Sequence, residues 1–572
     1  MSDSGQSAVA SGRRGSSAVR QIFVSLFTVG ICWVFVRFGS LLVTMAISHT
    51  WSSDDPVVSA YAFMFRVVIM QFIYPSVLNI FRPAFIPLYN EIKKQDGPAA
   101  AMVFAKGLLE IGMLFGVAIF AWLWMAPDWT VRMLASGFNE AQHAASVTMM
   151  REMAPGLLVL LFAEMYLILF HAEKSFAYPH SAEAVQKIGW GLGILLLAKL
   201  LHVPDRAIGI TYSLACVAQA LVCVVGMRRT FRWALPLADL RGWWQRWGWR
   251  TAVLMGPLLV GIVAARLRDI VQYRLQSDLE SVSFVSVEYA RQLTNLPVAF
   301  LGTLVSLVML PHLASILHSD GQDQHRRTLE GTVTTLCLLS IPIVSACLVS
   351  AEDLMALLYL KADWGPAEVL TCRQGALAVR VISLGFTFVV LENIFMPGLF
   401  SIKSMWWPTL WGVAASLFQI FFLFGLARAG LSADSAWLLA GVAFAFPLSR
   451  LLKNGVLMLV LRHKTAMFGG LALYGLVVRV GLILLATLAV HAVTAWGLQR
   501  AVGEGLLRID GRSFLAYKAI LALRIGIPAA AMGLAFLAAV WLGGYKEQLV
   551  GLVKAARSGR KGRPAEASPD AA

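Results

Sequence analysis

Long apolar stretches, separated by short polar segments, recur from residue 21 almost to the C-terminus of this 572-residue chain. About 20 apolar residues in a helix cross a hydrocarbon layer roughly 30 Å thick. The chain is 58% hydrophobic and only 14% charged, with a mean hydropathy of +0.70. A soluble surface cannot be built from this composition. The sequence therefore predicts an all-α polytopic membrane protein.

Hydropathy predicts about 14 transmembrane helices. Their expected limits are 21–47, 57–88, 100–126, 147–171, 184–201, 206–227, 251–275, 282–311, 331–350, 372–400, 407–428, 432–461, 466–493 and 518–543. The first apolar run is too long for the core of a cleaved signal peptide, so we interpret it as an uncleaved first span.

Positive charges indicate the orientation of these spans. The net charge is +16, and most Lys and Arg residues fall in alternate short loops and in the C-terminal tail. This placement follows the positive-inside rule and favours membrane topology over nucleic-acid binding. We expect a cytoplasmic membrane protein with both termini in the cytoplasm. Only the segment 494–517 departs from the rule.

Two segments in the first half of the chain have counterparts in the second half. "KSFAYP", which begins at Lys174, matches "KSMWWP", which begins at Lys403. Pro87 and Pro311 are each followed at the same interval by an Asp-Gly pair. Transporters are commonly built from such repeats, with the substrate site between them. The repetition predicts two pseudo-symmetric six-helix lobes followed by two extra helices.

The predicted organisation has six parts. These are a cytoplasmic tail (1–20), an N-lobe (21–228), a basic Trp-rich linker (229–250), a C-lobe (251–462), the last two spans (463–545) and a basic tail (546–572). The linker mixes Arg with Trp, which suits an amphipathic segment at the lipid headgroups. A plain linker between the lobes would have the same composition.

Several arginines interrupt the predicted spans, where a charged side chain costs about 2.5–3.5 kcal/mol and is expected to face protein or water. Guanidinium groups bind phosphate oxygens in pairs. We therefore predict an anion site that contains Arg37, Arg66, Arg266, Arg268 and Arg291. An alternative interpretation pairs Arg266 with Asp269 within one helix.

Three acidic residues also lie inside predicted spans, namely Glu164, Asp269 and Glu392. A buried carboxylate can titrate near neutral pH, so these residues are candidates for coupling to an ion gradient. Equally, they could neutralise the arginines. Glu164 and Glu392 hold corresponding places in the two repeats.

The sequence contains no P-loop, no G-x-G-x-x-G turn and no G-x-S-x-G elbow, so soluble enzyme chemistry is not expected. The six cysteines show no C-x-x-C spacing, and we expect no metal site, no disulfide and no cofactor. A membrane potential or an H⁺ or Na⁺ gradient is the expected energy source.

Four segments resemble one known family. They are "FRPAFIPLYNEIKKQDG", "APGLLVLLFAEMYLILFHAEKSFAYP", "MGPLLVGIVAARLRDIV" and "EYARQLTNLPVAFLGTLVSLVMLPHLA". These segments are similar to the MurJ/MviN lipid II flippases of the multidrug/oligosaccharidyl-lipid/polysaccharide exporter superfamily. The resemblance implies 14 helices in two lobes around a central cavity. It also implies that Arg side chains bind the pyrophosphate of an undecaprenyl-linked cell-wall precursor.

The chain departs from the family pattern at several charged positions. Arg37 fits the second Arg of the family's first-helix motif, but Ile31 replaces the first Arg and Phe38 the acidic neighbour. In the eighth helix, Arg291 and Gln292 replace the family's Asp-Arg pair, so we add Gln292 to the predicted substrate site. The chain is a divergent member by this comparison.

The first hypothesis is a transporter that flips a lipid II-like precursor by alternating access. Its expected partners are this anionic lipid, membrane lipids and cell-wall synthesis proteins, and we expect a monomer. Two alternatives are a flippase for another polysaccharide lipid carrier and a transport-inactive scaffold for envelope assembly.

Overall fold

The computed structural model describes residues 35–52, 54–73, 81, 85, 88–173, 177–200, 206–230, 240–279, 283–298, 301, 321–360, 365–402, 404, 406–430, 432, 435–502 and 514–545. These residues form helices and turns. The first half contains α1 (Phe35–Ser48), α2 (Pro56–Tyr61, continued by a π-helical stretch Ala62–Ile73), α3 (88–95), α4 (Gly97–Met125), α5 (Pro127–Leu134), α6 (Glu140–Ala172), α7 (Ala177–Leu195, with a π-helical end Leu196–Leu200) and α8 (Ala207–Thr230).

The second half begins with α9 (Leu240–Trp243), which runs through a π-helical stretch Trp244–Gly248 into α10 (Trp249–Ser277). It continues with α11 (283–298), α12 (Gly321–Val349), α13 (Ala351–Tyr359), α14 (Pro366–Ser383), α15 (Phe386–Ser401), α16 (Trp406–Arg428), α17 (Ala436–Thr465), α18 (Ala472–Val502) and α19 (Phe514–Leu542).

The all-helical membrane architecture is confirmed, and every predicted span overlaps a helix. Among the described residues, eight helices are long and apolar enough to cross a membrane, or nine when the bent pair α14–α15 counts as one span. In the most apolar stretches of α16, α18 and α19 only 17% of residues are buried, and their exposed side chains are largely Leu, Val and Phe. Such surfaces suit lipid rather than water.

Local chemistry determines where two of these helices begin. Pro56 occupies the first turn of α2, where its missing N–H is no loss, and the Asp55 carboxylate accepts from the Val57 N–H at 2.8 Å. Pro366 opens α14 in the same way, and Glu368 Oε2 accepts from the Gly365 N–H at 2.8 Å.

Helix α6 is the central element of the first half. Its most apolar stretch is 78% buried, and it packs against α2, α4 and α8, while α7 packs on α8. In the second half α17 packs against α14, α15 and α16, and α10 packs against α16. The last two helices pack on each other and contact α12 and α13.

The tenth predicted span is bent rather than straight. Helices α14 and α15 meet at 42°, across Leu384 and Gly385. A Cβ on Gly385 would lie 2.6 Å from Cβ of Pro447 in α17. Glycine therefore permits the bend to press directly against the partner helix.

Residues 240–250 of the predicted linker form a helix that is attached to the first half. Trp243 is 3% exposed and donates from Nε1 to the Phe104 carbonyl at 2.9 Å. Arg246 and Arg250 form ion pairs with Asp96 and Glu91 at 3.6 and 2.6 Å. The segment 240–250 therefore joins α3 and α4 to the first turn of α10.

The two halves contact each other through the loop between α1 and α2 and through the turn between α5 and α6. Ser52 Oγ donates to Glu368 Oε1 at 2.7 Å, and the Gly137 N–H donates to Ser277 Oγ at 3.1 Å. A Cβ on Gly137 would lie 2.4 Å from the Ser277 carbonyl oxygen. The approach of the halves at this end is thus close enough to require glycine.

Some sequence predictions fall outside the described residues. These include Lys174, Lys403, Pro87 and Pro311 of the repeat, and both terminal tails. The two-lobe division itself stays a prediction.

Candidate functional site

Arg66 lies on the π-helical stretch of α2, and its side chain points to the second half of the chain. Its Nη2 donates to Thr44 Oγ1 at 2.6 Å and to Gln292 Oε1. Gln292 also accepts from Thr44 Oγ1 at 2.6 Å and donates to the Ser40 carbonyl at 3.1 Å. A π-helix is rare and often occurs at functional sites. The predicted site residues Arg66 and Gln292 therefore meet across the two halves.

Arg291, one residue before Gln292, is held by a carboxylate on its own helix. It donates from Nη1 to Glu288 Oε1 at 2.7 Å and to the Tyr273 hydroxyl at 2.9 Å. Glu288 is buried and also accepts from Gln276 Nε2 at 3.0 Å. The charge of Glu288 interacts with that of Arg66, so the two groups of side chains are neighbours.

Arg266, Arg268 and Asp269 form a compact group on α10. Asp269 accepts from Arg266 Nη1 at 2.8 Å through one carboxylate oxygen, and from Arg268 Nε and Nη2 at 2.9 and 2.6 Å through the other. The alternative interpretation, in which Arg266 pairs with Asp269, matches this geometry. The charge of Asp269 also interacts with that of Arg291.

Glu392 lies beside this group, between two cations of α17. It accepts from Arg450 Nη1 at 2.9 and 2.7 Å and from Lys453 Nζ at 2.6 Å. The charges of Arg450 and Lys453 both interact with that of Arg268. We call Arg266, Arg268, Asp269, Glu392, Arg450 and Lys453 the α10–α17 charge cluster.

Hydrogen bonds between amide and hydroxyl groups hold the helices of the cluster in register. Gln419 of α16 donates to Gln272 Oε1 of α10 at 2.7 Å. Ser449 of α17 donates to Gln419 Oε1 at 2.8 Å. All three side chains are buried. The chain of bonds joins α10, α16 and α17 at the level of the cluster.

Arg37 and Glu164 belong to a separate group in the first half. Glu164 is 2% exposed and accepts from Gln219 Nε2 at 3.0 Å. The charges of Arg37 and Glu164 both interact with that of Lys187, a buried residue whose Nζ lies 4.6 Å from the centre of the Phe65 ring. Arg37 and Glu164 are therefore linked to each other through Lys187, a cation of the first half.

Three cations of these groups were missed by the sequence reasoning: Lys187, Arg450 and Lys453. Each lies inside a predicted span, in "EAVQKIG" or "SRLLKNG". A charge in such a position is costly unless it has partners, and this cost was the signal available to find them.

The long apolar helices and the enclosed network of arginines and carboxylates define a polytopic helical membrane protein with a charged interior. The sequence matches the family described as lipid II flippase MurJ over residues 19–507. The chain belongs to this family. Its family and its apolar helices make it a multi-pass protein of the bacterial inner membrane.

Relatives and solved structures agree with the family. A lipid II flippase MurJ of Burkholderia cenocepacia is 24% identical over 340 residues, which are 58% of this chain and 64% of that protein. The chain thus matches somewhat less than two thirds of this relative's length. A solved structure described as lipid II flippase MurJ in an inward closed conformation has a TM-score of 0.63 at 14% identity and covers 88% of this chain and 97% of that one.

The fold extends to a wider superfamily. An inward-facing multidrug resistance MATE family transporter of the MOP superfamily has a TM-score of 0.60 at 13% identity. It covers 75% of this chain and 98% of that one. At such low identities the likeness concerns the fold alone.

Proposed function

We propose that the protein translocates a lipid II-like, undecaprenyl-diphosphate-linked cell-wall precursor across the cytoplasmic membrane by alternating access. Membership of the family, and the names of its relatives, support this proposal. The observation that carries it is the contact of Arg66 in the first half with Gln292 in the second. Transporters built from two helical units bind their substrates where the units meet, so a cation at this contact is placed to bind an anionic headgroup during translocation.

The chemistry of the site fits a diphosphate. Guanidinium groups keep their charge at any working pH and bind phosphate oxygens in pairs. The membrane potential supplies about 2.3 kcal/mol per elementary charge per 100 mV, enough to bias reorientation of a charged site without ATP. Coupling to H⁺ or Na⁺ through Glu164, Asp269 or Glu392 belongs to the same proposal. The protein would work as a monomer among membrane lipids, next to cell-wall synthesis proteins.

The proposal includes the orientation of the chain. With both termini in the cytoplasm, the loop between α1 and α2 faces outside, and the contact of Ser52 with Glu368 lies on the outer side. The segment 240–250, with exposed Trp249, Arg246 and Arg250, lies on the inner side. Reporter fusions after α1 and after α8 would test this assignment.

The test is complementation of bacteria depleted of their own lipid II flippase. We expect Arg66→Ala, Arg268→Ala and Arg291→Ala, each expressed to the parental level, to lose complementation. Arg132→Ala is the control, because Arg132 is 72% exposed and pairs with Asp128 on the short helix α5. Full growth with all three site variants would refute the transport site. Growth that depends on the protein but not on these arginines would favour a scaffold.

A further inference from the structure

Arg66 differs from other interior arginines in the groups that hold it. In the described part of the chain its hydrogen bonds go to neutral oxygens, namely Thr44 Oγ1 at 2.6 Å, the Tyr61 hydroxyl at 3.4 Å and Gln292 Oε1. Three other arginines each bond a carboxylate oxygen at 2.6 to 2.7 Å, namely Arg268, Arg291 and Arg450. A phosphate oxygen is negatively charged and attracts a guanidinium more strongly than an amide or hydroxyl oxygen does. An incoming phosphate therefore meets weaker competition at Arg66.

The geometry of the guanidinium makes the neutral acceptors direct competitors of a phosphate. Nη2 of Arg66 carries all three bonds, although it has two N–H groups. A bidentate phosphate binds through Nη2 together with either Nε or Nη1, because the two forks of a guanidinium share Nη2. Nε is buried and has no acceptor among the described residues, while the side chain as a whole is partly exposed. A phosphate in this fork leaves one N–H of Nη2 for Thr44 and Gln292 together.

Gln292 is the side chain through which α11 bonds two helices of the first half. Its Oε1 accepts from Arg66 of α2 and from Thr44 Oγ1 of α1, the latter at 2.6 Å. Its Nε2 donates to the Ser40 carbonyl of α1 at 3.1 Å. We call these three bonds the Gln292 contact. Loss of Arg66 as a donor removes one of the three and with it the bond between α2 and α11.

We propose that Gln292 is a positioning residue that couples headgroup binding to separation of the two halves: a phosphate displaces the Gln292 amide from Arg66 and so weakens the Gln292 contact. The inference rests on the proposed function. Two interactions that exclude each other at one group are linked. A weaker Gln292 contact must then give tighter anion binding, and a bound anion must favour the separated state. A residue that only packs between the helices has no such reciprocal effect.

The first test measures anion binding. Gln292→Met removes the amide oxygen but keeps the length and the net charge of the side chain. Purified protein in nanodiscs of zwitterionic lipid is titrated with inorganic diphosphate. The free state of this variant lacks a hydrogen bond that the bound wild type has already given up, so we expect it to bind diphosphate about fivefold more tightly than the wild type. Thr44→Val removes the other competing acceptor and should act in the same direction.

The second test measures the separation of the halves. Glu140→Cys in the first turn of α6 and Ala367→Cys in the first turn of α14 place spin labels at exposed positions, with the native cysteines replaced by alanine. Pulsed electron paramagnetic resonance gives the distance between the labels. We expect diphosphate to lengthen it. Gln292→Met should show part of this increase without diphosphate.

Gln142→Met is the matched control. Gln142 is also a buried amide, but it bonds Ser59 at 3.3 Å within the first half. The control should have the diphosphate affinity and the label distance of the wild type.

The inference is overturned if diphosphate binds to Gln292→Met no more tightly than to the wild type while the unfolding temperatures of the two agree. If Gln292→Met unfolds early, Thr44→Val decides by the same criterion. A label distance that does not respond to diphosphate overturns it equally.

Arg66→Gln tests the proposed function separately, because it should remove most of the diphosphate binding. Retained binding in Arg66→Gln rejects the site itself and the role of Gln292 with it. Lost binding in Arg66→Gln, together with no gain in Gln292→Met and Thr44→Val, rejects only the role of Gln292.

Discussion

Glu288 is buried between two partners, Arg291 at 2.7 Å and Gln276 at 3.0 Å. Removal of one member of a buried ion pair leaves the other charge without compensation, which is why such single substitutions are more harmful than removal of both. The same reasoning applies to each carboxylate of the charged network. In this network, each buried charge is tolerated only while its oppositely charged partner is present.

We expect Glu288→Gln to lower the free energy of unfolding by about 3–5 kcal/mol, because Arg291 would stay buried and charged. The double variant Glu288→Leu/Arg291→Met removes both charges and should recover at least half of this loss. Chemical unfolding in detergent micelles measures both. A double variant as unstable as Glu288→Gln would show that packing, and not charge, accounts for the effect.

A second prediction concerns Glu173, which follows α6 outside the span. Burial raises the pKa of this carboxyl, but hydrogen bonds from Lys93 and Tyr89 and the charge of Lys93 outweigh burial and leave the pKa below its ordinary value. The folded state then binds fewer protons than the unfolded state. The stabilisation is complete above the unfolded pKa of about 4.3 and is lost as the pH falls through the folded value.

Thermal unfolding of the wild type and of Glu173→Gln should therefore differ at pH 7 and converge as the pH falls below the lowered pKa of Glu173 in the folded state. Glu352→Gln is a suitable comparison, since Glu352 is 58% exposed in its pair with Arg380. A difference that stays constant with pH would contradict this account of Glu173.

At the scale of elements, one tryptophan of the segment 240–250 packs directly against a glycine of α4. A Cβ on Gly107 of α4 would lie 2.3 Å from Cδ1 of Trp243. The indole also bonds the Phe104 carbonyl and stacks on the Phe104 ring at 5.9 Å. Because α9 continues into α10, this contact attaches the first turn of α10 to the first half.

Gly107→Ala should displace the indole and lower the unfolding free energy by about 1–3 kcal/mol, as overpacking commonly does. In the double variant Gly107→Ala/Trp243→Leu the smaller leucine side chain would relieve the clash. Its loss of unfolding free energy should therefore be smaller than the sum of the losses in Gly107→Ala and Trp243→Leu. Gly425→Ala is the control, because nothing lies within 4 Å of a Cβ there. Equal effects of the two alanines would refute this close contact.

Sequence patterns predicted these elements unevenly. Helix α2 begins at Pro56, next to the predicted limit of 57, whereas α14 begins at Pro366, six residues before the predicted limit of 372. In both helices a proline and a neighbouring carboxylate, which act within one helical turn, determine the first residue. The π-helical stretch that carries Arg66 and the bend at Gly385 were not predicted. Both arise from packing against other helices, and neither leaves a mark in hydropathy.

At the scale of the whole molecule, the two halves touch through Ser52 and Glu368 and through Gly137 and Ser277. Phe138 and Phe284 add an edge-to-face contact with ring centres 5.3 Å apart. Alternating access requires these contacts to open and close in each cycle.

Cells that express Ser52→Cys/Glu368→Cys should lose complementation when a short thiol crosslinker joins the two residues, and regain it when a cleavable linker is reduced. Asp128→Cys/Arg132→Cys, crosslinked within one helix, should complement throughout. Full growth with the halves crosslinked would exclude opening at this end as part of the cycle.

The sequence by itself determined the helical membrane class, because insertion of a helix depends on the hydropathy of about 20 consecutive residues. The resemblance of four segments to known motifs indicated the family. Only the tertiary structure decided which charges are neighbours. Glu392 and Arg450 are 58 residues apart and Arg66 and Gln292 are 226 apart, and no local pattern contains such distances. Packing of α10, α15 and α17 brings Arg268 near Arg450 and Lys453. Packing of α1, α6 and α7 brings Arg37 and Glu164 near Lys187. The partners of a buried charge depend on how whole helices pack against one another. Hydropathy and local motifs do not contain this information.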